Sequence, residues 1–117
     1  MKALKKIEII TRPENLDKIK KILAKNEYSG MTVMAVMGAG HQDSGADAEE
    51  FQEMNMDVNL LPKVMVMTVV WEEDLEEILY ELQTNLTTGS VGDGKIFISS
   101  VEDVMRIRNG ERGADIL

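Results

Sequence analysis

Thr87-Thr88-Gly89-Ser90-Val91-Gly92-Asp93-Gly94-Lys95 runs directly into the apolar Ile96-Phe97-Ile98, and the reading of this stretch decides the fold. Three glycines and one lysine lie between a helical pattern and a strand pattern. Glycine reaches positive φ without a Cβ penalty, and successive exposed N–H groups can cradle an anion. The spacing from Gly89 to Gly94-Lys95 matches G-x-x-x-x-G-K, the opening of a phosphate loop. The order of elements does not match. A phosphate loop leaves a strand, opens a helix and continues with Ser or Thr after the lysine. Here the helix comes first, the strand follows, and Ile96 takes the place of the hydroxyl. No helix N-terminus is available to face phosphates. The 87–95 loop is therefore a phosphate-binding candidate of another kind, and not an NTPase signature.

Upstream of the loop, Leu75, Ile78, Leu79, Leu82 and Leu86 form the buried stripe of a helix that Trp71 starts. Glu72, Glu73 and Asp74 in its first turn complement the helix dipole. Leu60-Leu61-Pro62-Lys63 leads into a strand over 64–70, and a further strand over 31–37 is stopped by Gly38-Ala39-Gly40. Nearer the start, a strand over 6–11 ends at Arg12-Pro13. Leu16, Ile19, Ile22 and Leu23 then recur at helical spacing, with Asn15 or Glu14 near the N-cap and lysines on the outer face. Downstream, a fourth strand begins at Lys95, followed by 101–108 and a polar tail.

The order β-α-β-loop-β-α-β predicts an α+β, ferredoxin-like βαββαβ domain with an antiparallel sheet and both helices on one face. The strands over 31–37 and 64–70 carry almost no polar residues on either side. Two helices cover only one sheet face, so the other needs a cover, and self-association supplies it. A homo-oligomer is expected.

A chain of 117 residues is read as a single domain, 1–117, with a modest aliphatic core that nine methionines help to fill. The absence of cysteine excludes disulfides and thiolate metal sites. No segment reads as a signal peptide or membrane span, so the expectation is a cytoplasmic protein with no direct membrane insertion. A net charge of −8 argues against nucleic-acid binding. Eight of the 13 Lys and Arg lie before residue 26; the rest are Lys63, Lys95, Arg106, Arg108 and Arg112. In so acidic a stretch, cations beside glycines and strand ends are candidates for a specific anionic partner. The 41–59 segment holds Asp43, Asp47, Glu49, Glu50, Glu53 and Asp57 with no Lys or Arg. Long loops without apolar periodicity are functional or solvated excursions, and this one reads as a partner-reading arm.

Gly30-Met31-Thr32-Val33, Gly38-Ala39-Gly40-His41-Gln42, Leu61-Pro62-Lys63-Val64, Gly92-Asp93-Gly94-Lys95-Ile96-Phe97 and Arg106-Ile107-Arg108-Asn109-Gly110-Glu111 occur in a telling order and spacing. With Thr88-Gly89, they make the chain resemble PII signal-transduction proteins over essentially its whole length apart from the long loop. The resemblance implies a homotrimer with nucleotide sites in the clefts between subunits, where ATP and ADP compete. It implies a regulator of nitrogen and energy metabolism, not an enzyme. Its arm, the T-loop at about 41–59, would dock on a membrane transporter or metabolic enzyme. An acidic arm suits a partner with a basic patch.

Carried over residue by residue, the resemblance implies that Gly92, Asp93, Gly94 and Lys95 wrap the phosphates and ribose. Arg106 and Arg108, in the C-terminal segment 106–117, bring positive charge to the phosphates. Thr32 and Val69 contact the adenine region, and Gly40 and His41 lie at the T-loop base. Gln42 would help to hold Mg together with ATP and 2-oxoglutarate, and Lys63 would pair with the distal carboxylate of 2-oxoglutarate. The cation set also makes chemical sense, since a nucleotide with several negative charges needs several cations and backbone donors.

This chain departs from the family pattern at several positions. His41 replaces the usual arginine, which predicts a weaker or pH-dependent phosphate contact. Asp43 stands where many members have lysine and weighs against 2-oxoglutarate. Met56 takes the place of the tyrosine uridylylated in enteric-type members, and Gln52 lies near the position of the channel-plugging arginine. Two alternatives remain open at this level. One is a phosphoryl-transfer enzyme or NTPase with Asp93 as base. The other is a nucleotide-independent interaction or metal-handling trimer of the same fold, against which one His and no Cys weigh.

Overall fold

The computed structural model describes residues 3–39 and 60–117. In order come β1 (Leu4–Thr11), a 3₁₀ turn (Pro13–Asn15), α1 (Leu16–Lys25), β2 (Thr32–Gly38), β3 (Leu61–Trp71), α2 (Glu72–Leu86), β4 (Gly94–Val101) and a second 3₁₀ turn (Ala114–Ile116). All strand pairs are antiparallel and the sheet order is β2-β3-β1-β4. Two βαβ halves, for which right-handed crossovers are the rule, produce this ferredoxin-like α+β arrangement.

Strand alternation builds the layers. Ile7, Ile9 and Thr11 of β1 and Val64, Val66, Thr68 and Val70 of β3 are buried on one face. Ile19, Ile22 and Leu23 of α1 and Leu75, Ile78, Leu82 and Leu86 of α2 close over that face. Each fully buried Ile or Leu is worth roughly 1.5–3 kcal/mol of transfer free energy, so this single aliphatic layer dominates stability. Thr68 is tolerated there because its hydroxyl donates to the Gly30 carbonyl at 2.7 Å. The register places Ile10, Met34, Met65, Met67 and Phe97 on the opposite face. Met34 is 44% and Phe97 52% exposed there, so the described residues leave this apolar face largely uncovered.

The structure sharpens three local expectations. Trp71 does not start the helix; it ends β3 with extended backbone, and its indole N–H donates to the Ala114 carbonyl at 3.0 Å. Asn15 takes the N-cap position as expected but makes no side-chain capping bond, because a 3₁₀ turn precedes α1 and its amide instead donates to the Thr11 hydroxyl at 2.9 Å. β3 begins at Leu61, ahead of residue 64, because β2 continues to pair there after β1 has ended. Pro62 is accommodated at this strand end, where a missing donor is least costly.

Candidate functional site

The loop between α2 and β4 must reverse the chain within seven residues, and its glycines make this possible. Gly89, Gly92 and Gly94 have φ of +76°, +99° and +109°. A Cβ on Gly94 would lie 2.0 Å from the Ile10 carbonyl oxygen, so β1 and the loop approach as closely as backbones can. Residue 94 has to be glycine on both counts.

Asp93 turns its carboxylate inward. It accepts from the Thr88 backbone N–H at 2.7 Å, from the Thr88 hydroxyl, and from Arg12 Nη1 at 2.7 Å. The Thr88 bonds first, and Arg12 after them, hold its carboxyl far below the usual carboxylate range. A carboxylate with both oxygens engaged and so firmly ionised is badly placed to take a proton from water. The loop backbone is tied down as well: Thr11 Oγ1 donates to the Asp93 carbonyl at 2.7 Å and Lys63 Nζ to the Gly92 carbonyl at 2.9 Å. Lys63 is only 8% exposed. Its one hydrogen-bond acceptor among the described residues is a neutral carbonyl, which leaves a buried positive charge to be balanced.

Lys95 follows the loop on the same sheet face as Ile10, exposed and not hydrogen-bonded to any described residue. Beside it, a cavity of about 280 Å³ is lined by Thr11, Gln83, Thr87, Asp93 and Gly94 among others. The ammonium groups of Lys95 and Lys63 beside this glycine-rich backbone suit a phosphate or carboxylate.

Thr32, Val69, Arg106 and Arg108 are elsewhere. Thr32 pairs with Met67 and Val69 with Lys6, several rows along the sheet from the Val64–Thr11–Gly94 row that borders the glycine loop. The C-terminal segment is anchored beyond Val101, where Trp71 holds Ala114 and Val104 accepts from the Gly113 N–H at 3.1 Å. The length of β4, roughly 23 Å at 3.3 Å per residue, separates the two ends. Arg106 organises a turn there, donating to Glu111 Oε2 at 2.7 Å and to the Ile116 carbonyl at 3.1 Å. Arg108 is exposed and pairs with no described residue. Gly40, His41 and Gln42, with the rest of the 41–59 arm, lie outside the described residues.

The structure thus separates the expected residues: the glycine loop, Lys63 and Lys95 at one sheet end, Thr32 at mid-sheet, Val69 farther along, and the Arg106–Arg108 turn beyond the other end. It also adds residues that the sequence reading passed over: Thr11, Arg12 and Thr88. Thr11-Arg12-Pro13 reads as a mere strand end until the register sets Thr11 opposite Gly94, which brings Arg12 to Asp93. Among the described residues no group of three or more His, Cys, Asp and Glu could hold a metal ion, and no helix is long and apolar enough to cross a membrane.

The fold and loop together define a ferredoxin-like α+β arrangement with a glycine-rich loop at one sheet end. The family model described as nitrogen regulatory protein P-II matches residues 4–111, and the chain belongs to this family. It is 44% identical over 117 residues to nitrogen regulatory protein P-II 1 of Methanothermobacter thermautotrophicus, covering all of both chains. It is 40% identical over 114 residues to nitrogen regulatory protein P-II of Rhizobium meliloti, covering 97% of this chain and all of that one. Among solved structures, the GlnK–ATP complex of B. subtilis superposes with a TM-score of 0.79 at 30% identity, covering 98% of this chain and 96% of the other. Arabidopsis thaliana PII bound to citrate superposes with a TM-score of 0.74 at 30% identity, covering 98% and 90%.

Proposed function

We propose that the protein is a non-catalytic signal-transduction regulator of nitrogen and energy metabolism. In this reading it is a cytoplasmic homotrimer that senses ATP and ADP at sites between subunits. It controls a partner transporter or enzyme through the 41–59 arm. One observation carries the intersubunit site: Gly92, Gly94 and Lys95 lie at one end of the sheet and Arg108 beyond the other, with Thr32 and Val69 on rows between. No single copy brings the glycine loop and Arg108, a strand length apart, to the same phosphates, whereas two copies meeting through the uncovered apolar face can. The ATP complex of the related GlnK supports the ligand.

Each side chain then has a separable task. The backbone donors around Gly92 and the ammonium of Lys95 would bind the phosphates, and Arg108 from a neighbouring subunit would add charge. Thr32 and Val69 would border the base. Asp93 keeps the loop in shape, and Arg106 keeps the C-terminal turn in shape. Mg would be held by phosphate oxygens and Gln42. For 2-oxoglutarate, the ammonium of Lys63 is the candidate partner of a carboxylate, and the citrate complex of the plant relative supports small carboxylates as a ligand class.

Calorimetric titration with ATP and with ADP tests the reading. Binding of both at one competed site per subunit is expected, and no heat from either at sub-millimolar concentration contradicts it. Repeating the ATP titration with Mg and 2-oxoglutarate decides the second ligand. Tighter ATP binding in its presence is the signature of a carbon and nitrogen sensor, and unchanged binding that of an energy sensor alone.

A further inference from the structure

We infer that Arg12 is a positioning residue of the nucleotide site: through Asp93 it locks the glycine loop in its ligand-ready shape before any ligand arrives. The inference deepens the proposed function and rests on it for its ligand half.

The lock is visible in the bonds. Arg12 reaches from just beyond β1 with Nη1 on Asp93 Oδ1 at 2.7 Å and Nη2 on the Val91 carbonyl at 3.3 Å. Its Nη1 is also 3.4 Å from Thr88 Oγ1. One planar guanidinium therefore spans the start, middle and end of the loop, which a single-point ammonium cannot do. Behind it, the buried Asn15 amide donates to Thr11 Oγ1, and that hydroxyl donates to the Asp93 carbonyl. This orients Thr11 and fixes the loop's last residue from the other side. Asp93 is the hub: its carboxylate holds Thr88 and Arg12, and its carbonyl holds Thr11.

The need for such a lock follows from composition. The stretch from Gly89 to Gly94 contains three glycines with positive φ, so its unfolded alternatives are numerous and ordering it is entropically costly. If the loop were ordered only by the ligand, that cost would be subtracted from affinity. Ordering it beforehand leaves the affinity intact. Half-buried charge-assisted bonds are strong enough to do this: the Arg12 and Asp93 side chains are 26% and 21% exposed. Arg12 accordingly contributes to binding without being a ligand group.

The test compares wild type, Arg12→Ala, Arg12→Lys, Asp93→Asn and the double variant Arg12→Ala/Asp93→Asn. Amide hydrogen exchange across 88–94 is read without ligand, and ATP affinity by calorimetry. Arg12→Ala should speed exchange in the loop but not in the buried strands, and weaken ATP about tenfold, the size of one lost charge-assisted bond. Arg12→Lys should restore only part of both. The double variant should be hardly worse than either single one, because both break the same lock. Unchanged exchange in Arg12→Ala overturns the lock whether or not ATP binds. Faster exchange with unchanged affinity overturns the positioning role, and additive losses in the double variant would mean that Arg12 touches the nucleotide itself. Wild-type protein that fails to bind ATP overturns the functional reading and the ligand half of this inference together.

Discussion

At the scale of single residues, the glycine loop shows two kinds of glycine. Gly94 combines φ of +109° with a carbonyl oxygen 2.0 Å from where a Cβ would be, whereas Gly89, at φ of +76°, has nothing within 4 Å. Gly94→Ala should therefore cost roughly 2 kcal/mol or more, because a backbone clash cannot be relieved by a rotamer. Gly89→Ala should cost only the left-handed penalty of about 1 kcal/mol. Urea unfolding of the two variants checks the difference, and equal losses would refute the close approach of β1. Sequence spacing was enough to pick out Gly92, Asp93, Gly94 and Lys95 as one loop. It could not show that Asp93 faces inward, because its partner Arg12 is 81 positions away and only the β1–β4 register joins them.

At the scale of elements, the junction of β3 and α2 depends on Tyr28. Its hydroxyl accepts from the Trp71 backbone N–H at 3.0 Å and donates to Asp74 Oδ2 at 2.5 Å, and its ring meets Trp71 edge-on at 6.3 Å. Burial, and then the bond to Asp74, push the phenol from 10.0 up to about 12. The native state thus keeps a proton that the unfolded chain loses first. The stability this supplies is complete below pH 10 and is lost as pH rises towards 12. The unfolding free energy of wild type relative to Tyr28→Phe should fall across that window; a pH-independent difference would contradict the account. Helix stripes and strand alternation were legible in the residues themselves. The start of α2 was not, since Trp71 looks helical by pattern and is held extended by partners distant in sequence, Tyr28 and Ala114. Asn15 stands at the N-cap of α1 as expected, but its amide serves Thr11 instead of the helix.

At the scale of the whole molecule, the sheet has one face closed by helices and one left apolar. Met34 and Phe97 project from the open face, and the described residues leave about half of each side chain exposed. Met34→Glu should therefore break the assembly into monomers by sedimentation while helix and strand content persist. A change in stability with no change in mass would place the interface elsewhere. The need for a cover could be read from two strands with almost no polar residues. The division of the site between opposite sheet ends could not, because it depends on which row each residue occupies. The most direct test of that division is calorimetry on mixed oligomers. Lys95→Ala and Arg108→Ala proteins should each bind ATP weakly alone. Dissociated and reassembled together, they should regain wild-type affinity at a minority of sites, where an intact glycine loop meets an intact Arg108 from a neighbour. Mixtures that bind no better than the separate variants would mean that each site lies within one chain, and the account would be wrong.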